Sequence, residues 1–158
     1  MTEIHATGPL PAAADLVRHS GTMLLLTRLT EASETHAVSE VAITENSTFY
    51  REGRGVPAYV GLEYMAQTIA AYDGVERRQS GKPPEIGFLL GTRRFDASHP
   101  YFAAGETLRV RVDMTFNDNG MAAFDAVITV AEEERARASI NVYRPESGGL
   151  GTLAGAAR

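Results

Sequence analysis

Cysteine and tryptophan are both absent from this chain of 158 residues. Without cysteine there are no disulfides, no thiolate nucleophile and no thiolate metal site, although the absence says little about redox compartment. Histidine is scarce, at 4 residues, and no clustered acid spacing accompanies it, so no metal site is expected. Long apolar runs are also missing: Met23-Leu24-Leu25-Leu26 is far short of the roughly 20 residues needed to span a bilayer. Basic charge is in deficit, with 15 Lys and Arg against 20 Asp and Glu and a formal net charge of -5, which argues against a nucleic-acid partner. The N-terminus, with Glu3, His5, Pro9 and Pro11, has neither the basic start nor the apolar centre of a secretory signal, and a cytoplasmic location follows as the default.

What is present fits one soluble globular domain over 1–158, with 44% apolar and 22% charged residues. Residues 1–15 read as an irregular lead-in, 145–158 as a flexible tail and about 16–143 as the core. Inside the core, Pro57 to Tyr72 carries a mostly apolar helix pattern interrupted by one carboxylate, Glu63. Tyr59, Leu62, Ala66 and Ile69 recur at helical spacing and are expected to form one buried stripe, with the rest of the circumference nearly as apolar. Glu63 lies beside that stripe and shares a face with Gln67. Burying an unpaired carboxylate is costly and raises its pKa, which suits a proton-transfer group; the alternative is a glutamate tied to backbone or to Gln67. Gly61 within the helix suggests close approach, either by a strand or by an acyl chain. Pro57 suits the first helical turn.

Strands are expected on both sides of this helix. Met23–Thr30 and Thr35–Ile43 read as a hairpin around a turn at Glu31–Glu34, and Thr44–Val56 as a loop. After Gly74 the charged stretch Glu76–Pro84 is expected to end the helix. Ile86–Phe95, Thr107–Asn117, Met121–Val130 and Ala136–Tyr143 follow as strands, with Asp118-Asn119-Gly120 a strong hairpin turn. Two strands, one long helix and several antiparallel strands make an α+β pattern, in which a sheet curled around one helix would bury all its faces.

This element order, with three local motifs, resembles the hotdog dehydratases of the FabA/FabZ superfamily, and more narrowly the ApeP-like dehydratases associated with aryl polyene pigment clusters. The motifs are Val17-Arg18-His19-Ser20-Gly21-Thr22-Met23-Leu24-Leu25-Leu26-Thr27-Arg28, Glu63-Tyr64-Met65-Ala66-Gln67 and Phe88-Leu89-Leu90-Gly91-Thr92-Arg93-Arg94-Phe95. The resemblance implies a hotdog fold, an antiparallel sheet wrapped around one long central helix. It also implies dehydration of 3-hydroxyacyl thioesters to trans-2-enoyl thioesters in polyene or fatty-acid-like biosynthesis. No cofactor is implied, since the substrate rides on the phosphopantetheine of an acyl carrier protein. That carrier is one expected partner; the other is a second hotdog subunit, in a homodimer or in a heterodimer with a related dehydratase.

One departure stands out. Where FabZ dehydratases carry a catalytic histidine in a His-Phe-Pro run, this chain has Tyr50-Arg51-Glu52-Gly53-Arg54-Gly55-Val56-Pro57, with no histidine. Under the resemblance Glu63 takes the acid role and His19, the only histidine in a shared motif, becomes the candidate base; a structural histidine at the start of the first strand is the other reading. His36 is expected to be solvated, His99 to lie in a turn and His5 to belong to the lead-in. The backbone N–H of Ala58, at the positive end of the helix, is a candidate donor to the thioester carbonyl. Gln67 would orient Glu63 or a bound water, and Gly61 would allow close approach by a strand or by the acyl chain. Arg94, with Arg93 and more loosely Arg51, Arg54, Arg77, Arg78 and Lys82, is a candidate contact for an acidic carrier. The alternatives are a hotdog acyl-thioesterase and a non-catalytic acyl-binding subunit of a heterodimeric dehydratase.

Overall fold

The computed structural model describes Ala12 and residues 24–81 and 88–143. Among them, strands β1 (Arg28–Ala32), β2 (His36–Ala42) and β3 (Val56–Pro57) precede helix α1 (Gly61–Gln79). Strands β4 (Phe88–Ala97), β5 (Tyr101–Phe102), β6 (Thr107–Asp118), β7 (Met121–Val130) and β8 (Glu133–Tyr143) follow it. The main sheet is antiparallel, in the order β1-β2-β6-β7-β8-β4, and β3 pairs with β5 in a short separate ribbon. This is the expected α+β arrangement of one long helix on one antiparallel sheet.

The alternation of the central strands explains which face meets the helix. Leu108, Val110 and Val112 of β6 are fully buried while Arg109 is exposed between them. Phe124, Ala126 and Ile128 of β7 stand opposite Met114, Val112 and Val110, and Ala136, Ala138 and Ile140 of β8 continue the layer. Each large aliphatic side chain buried there contributes about 1.5–3 kcal/mol.

The helix is enclosed, and of the expected stripe Ile69 is buried but the other three members are not fully so. From Val60 to Arg77 no residue is exposed. Its buried face is Gly61, Tyr64, Met65, Thr68, Ala71, Tyr72 and Val75, whereas Leu62 and Ala66 are only half-buried and Tyr59 is 63% exposed. Glu63 therefore lies on the half-buried flank away from the sheet, with Ala66, Ala70 and Asp73. The helix also continues past Gly74 to Gln79, because Arg77 pairs with Asp73 one turn back and the Tyr72 hydroxyl donates to Glu76, so the charged segment supports the helix instead of ending it. Pro57 ends β3, and a 3-10 turn at Ala58–Val60 leads into α1.

The first strand begins later than expected, at Arg28. Leu24 to Thr27 are irregular: Thr27 N–H still donates to Glu40 O at 2.9 Å, but Leu25 N–H donates to Gln67 Oε1 at 2.9 Å and Ala42 N–H to Thr27 Oγ1 at 2.9 Å, so side chains take part of the ladder's place. At the β6–β7 turn, Asn119 and Gly120 take φ 51° and 82°, as that dipeptide favours. The β7–β8 turn has the same left-handed pair, φ 47° and 70°, built from Ala131 and Glu132. Neither residue prefers that region. Replacing Ala131-Glu132 by Asn-Gly is expected to raise stability by about 1 kcal/mol, read as a higher urea midpoint with unchanged slope; an unchanged or lower midpoint would contradict the strain.

Candidate active site at the head of the central helix

The head of α1 is seated by the β3–β5 ribbon and the corner that follows β4. Val56 pairs with Phe102 and Pro57 with Tyr101. Gly55, at φ 119°, lies so close to the Phe102 carbonyl that an added Cβ would collide with it. The Ala58 N–H donates to Pro100 O at 2.9 Å. This corrects the donor role expected of Ala58: its hydrogen is committed to the protein's own backbone. Of the two approaches expected at Gly61, the structure shows the one by a strand: a Cβ there would stand 3.0 Å from Ile128 Cδ1 and 3.4 Å from the Phe102 ring.

One turn further on, Glu63 is half-buried and Gln67 fully buried. Gln67 Nε2–H donates to Glu63 Oε1 at 3.1 Å, and Gln67 Oε1 accepts the Leu25 N–H at 2.9 Å. The second bond decides the first. A backbone N–H can only donate, so the Gln67 carbonyl oxygen must face Leu25 and its NH₂ must face Glu63. Oε1 of Glu63 is thereby an acceptor, and a proton carried by the acid form is placed on Oε2. Gln67 and Glu63 are thus bonded to each other, as their spacing on one helix face predicts.

Tyr64, beside Glu63 in the chain, is 2% exposed, and burial pushes its phenol up to about 12, so it remains a neutral hydroxyl. It lines a cleft of about 210 Å³ together with Leu24, Leu25, Val41, Ser47 and Thr48. Leu25 thus borders the cleft and fixes Gln67. Neither Leu25 nor Tyr64 stands out in the sequence as a site residue: Leu25 acts through its backbone, and Tyr64 reads as helix core.

The remaining candidates fall elsewhere. His19 lies outside the described residues. Arg94, on edge strand β4, is exposed and paired with Asp96. His36 is half-buried rather than solvated, bonded to Ser33 Oγ at 2.7 Å and 3.4 Å from Glu31 in the β1–β2 hairpin. His99 occupies the exposed turn expected for it, bonded to Ser98. Among the described residues no helix is long and apolar enough to cross a membrane.

The model of the ApeP-like family, described as ApeP dehydratase, matches residues 11–152. The chain belongs to the ApeP-like dehydratase family. Among solved structures it is similar to the dehydratase heterocomplex ApeI:P from Xenorhabdus doucetiae, with a TM-score of 0.84 and 23% identity over 92% of this chain and 98% of that one. It is also similar to the E. coli PaaI protein of the phenylacetic acid degradation operon, at TM-score 0.57 and 14% identity over 73% of this chain and 81% of that one. A hypothetical thioesterase from Streptococcus pneumoniae, solved with coenzyme A, gives TM-score 0.58 and 9% identity over 74% and 84%. These likenesses establish the hotdog fold. No curated protein matches the chain.

Proposed function

We propose that this ApeP-like dehydratase acts on 3-hydroxyacyl thioesters carried on acyl carrier protein and leaves trans-2-enoyl thioesters, working as one subunit of a hotdog pair. The observation that carries this reading is the Glu63–Gln67–Leu25 chain, which fixes one carboxyl oxygen of Glu63 as an acceptor and ends at Leu25, a residue that lines a cleft. In the reaction a base removes the proton on C2, the C2–H electrons form the C2=C3 bond, and the C3 hydroxyl departs as water with a proton from an acid. Glu63 Oε2 is the proposed acid. His19 is the proposed base, on the strength of its place in the family-like first motif. The donor to the thioester oxygen is a group other than Ala58, whose N–H is taken by Pro100. A pair with a related subunit is supported by the X. doucetiae heterocomplex and by β4, which stands at one edge of the sheet.

The test is incubation of the chain, alone and with a related hotdog dehydratase subunit, with a 3-hydroxyacyl carrier protein, followed by intact mass. Loss of one water from the thioester in either arm supports dehydration. Release of free acid would replace the reading by hydrolysis, and unchanged substrate in both arms would overturn it.

A further inference from the structure

Among the described residues Arg78 and Arg93 are exposed without a carboxylate partner, whereas Arg28, Arg77, Arg94, Arg109, Arg111, Arg135 and Arg137 each sit against one. Arg51 and Arg54 do not: Arg51 donates to the Tyr59 hydroxyl at 2.9 Å and Arg54 to the Tyr101 hydroxyl at 3.3 Å, and among the described residues neither has a carboxylate partner. A phenol is a neutral acceptor, so both guanidiniums keep their full charge on a chain whose net charge is -5. The Tyr101 phenol is lowered by its bond from Arg54 and by the nearby Arg51, as a local excess of positive charge requires.

Two large aromatic rings are exposed on the same stretch of chain: Tyr59, which accepts the Arg51 bond, is 63% exposed, and Phe49, two residues before Arg51, is 51% exposed. Phe49 has φ 70°, a left-handed backbone that costs a bulky residue about 1–2 kcal/mol. The loop between them is fixed by its own backbone: Arg51 N–H donates to Gly55 O at 2.8 Å and Gly55 N–H to Arg51 O at 3.0 Å. The patch is therefore ordered before any partner arrives. Exposed tyrosine, phenylalanine and unneutralised arginine on a rigid loop are the residues that dominate protein interfaces. The patch also has a direction, because Tyr59 precedes Glu63 by four residues and leads along one side of the helix head to the carboxyl group.

We infer that Phe49, Arg51, Arg54, Tyr59 and Tyr101 form the docking surface for the acidic carrier protein that delivers the thioester, an inference that rests on the function proposed above. Charge complementarity selects this occupant: two unneutralised guanidiniums flanked by aromatic rings match an acidic surface that presents apolar side chains. It also moves the expected carrier contact away from Arg94, whose charge is met by Asp96.

The test is the direct binding of a holo acyl carrier protein, without an acyl group, to the full chain by calorimetry at low and high salt. The double variant Arg51→Glu with Arg54→Glu is expected to weaken Kd at least about 10-fold and to lose most of the salt dependence. The double variant Arg51→Gln with Arg54→Gln, which keeps the loop's polarity, should lie between. Absence of wild-type binding, an unchanged Kd in both variants, or a loss seen only with Arg94→Glu would overturn the inference. So would a change in subunit assembly by sedimentation with carrier binding intact, which would make the patch a subunit interface. Carrier binding is read independently of turnover, so intact docking without loss of water would sink the proposed reaction and leave the docking surface standing.

Discussion

Glu63→Gln is expected to lower turnover of a 3-hydroxyacyl carrier substrate by about 10²–10⁴-fold while the chain keeps its fold. Glutamine has the size of the glutamate it replaces, and its carbonyl oxygen can still accept the Gln67 Nε2–H that now reaches Oε1 at 3.1 Å. What it loses is the transferable proton on the other oxygen. Because Glu63 is half-buried on the flank away from the sheet, the packing of Tyr64, Met65 and Thr68 against the sheet is untouched. Turnover would be followed by loss of water from the thioester, and the fold by circular dichroism and a thermal melt. A variant that retains turnover within about tenfold of the parent would remove Glu63 from the acid role. A variant that unfolds would instead give the carboxylate a structural role.

The parts of this site that are legible in sequence are those fixed by short-range pattern. An apolar run with one acid and a glutamine four residues later places Glu63 and Gln67 together on a helix, and they bond as that spacing requires. Asn119-Gly120 likewise announces its hairpin. The orientation of Gln67 is not legible, because it depends on a backbone N–H 42 residues away at Leu25. Nor is the buried stripe, since a helix apolar on nearly every side leaves several rotations equally plausible; the sheet chooses among them by fitting Gly61 against Ile128 and Phe102. The C-terminal extension of α1 is hidden for another reason. Charged residues read as a loop until Asp73–Arg77 and Tyr72–Glu76 are seen to pair along the helix. The β7–β8 turn, expected at the acidic run Glu132-Glu133-Glu134, is centred earlier, on Ala131 and Glu132, because neither residue type announces the left-handed φ it takes there. The partner of Glu63 proposed from the family, His19, lies outside the described residues.

Glu106→Ala is expected to cost about 3–5 kcal/mol at neutral pH, because it strands a buried guanidinium. Arg135 is 8% exposed; its Nη1 pairs with Glu106 Oε2 at 2.5 Å, its Nη2 donates to Tyr101 O at 3.1 Å, and its guanidinium lies 5.7 Å from the centre of the Phe102 ring. Nε already has no partner, so nothing in place takes over the lost contact. Arg135→Met should cost less. It removes the cation together with its unsatisfied Nε, and it leaves Glu106, whose side chain is 21% exposed, still accepting the Ala103 N–H. The double variant should therefore lose less than the sum of the single losses, by about 1 kcal/mol or more. Acid supplies an independent reading. Burial pushes the Glu106 carboxyl up, but the Arg135 and Ala103 hydrogen bonds and the charges of Arg135 and His99 outweigh it and hold the group below its ordinary 4.5. A depressed carboxyl contributes stability that is present above the unfolded value and is lost as pH falls through the folded one. The difference between parent and Glu106→Ala should accordingly be full at pH 7 and shrink below about pH 4.5, as measured by urea unfolding at each pH. A difference under about 1 kcal/mol at pH 7, or one that does not shrink in acid, would show that the pair does not anchor this corner. The consequence for chemistry follows from position. Arg135 and Glu106 hold the segment whose Pro100 accepts the Ala58 N–H and whose Phe102 seats Gly61, so loosening the pair loosens the first turn of the helix that aims Glu63.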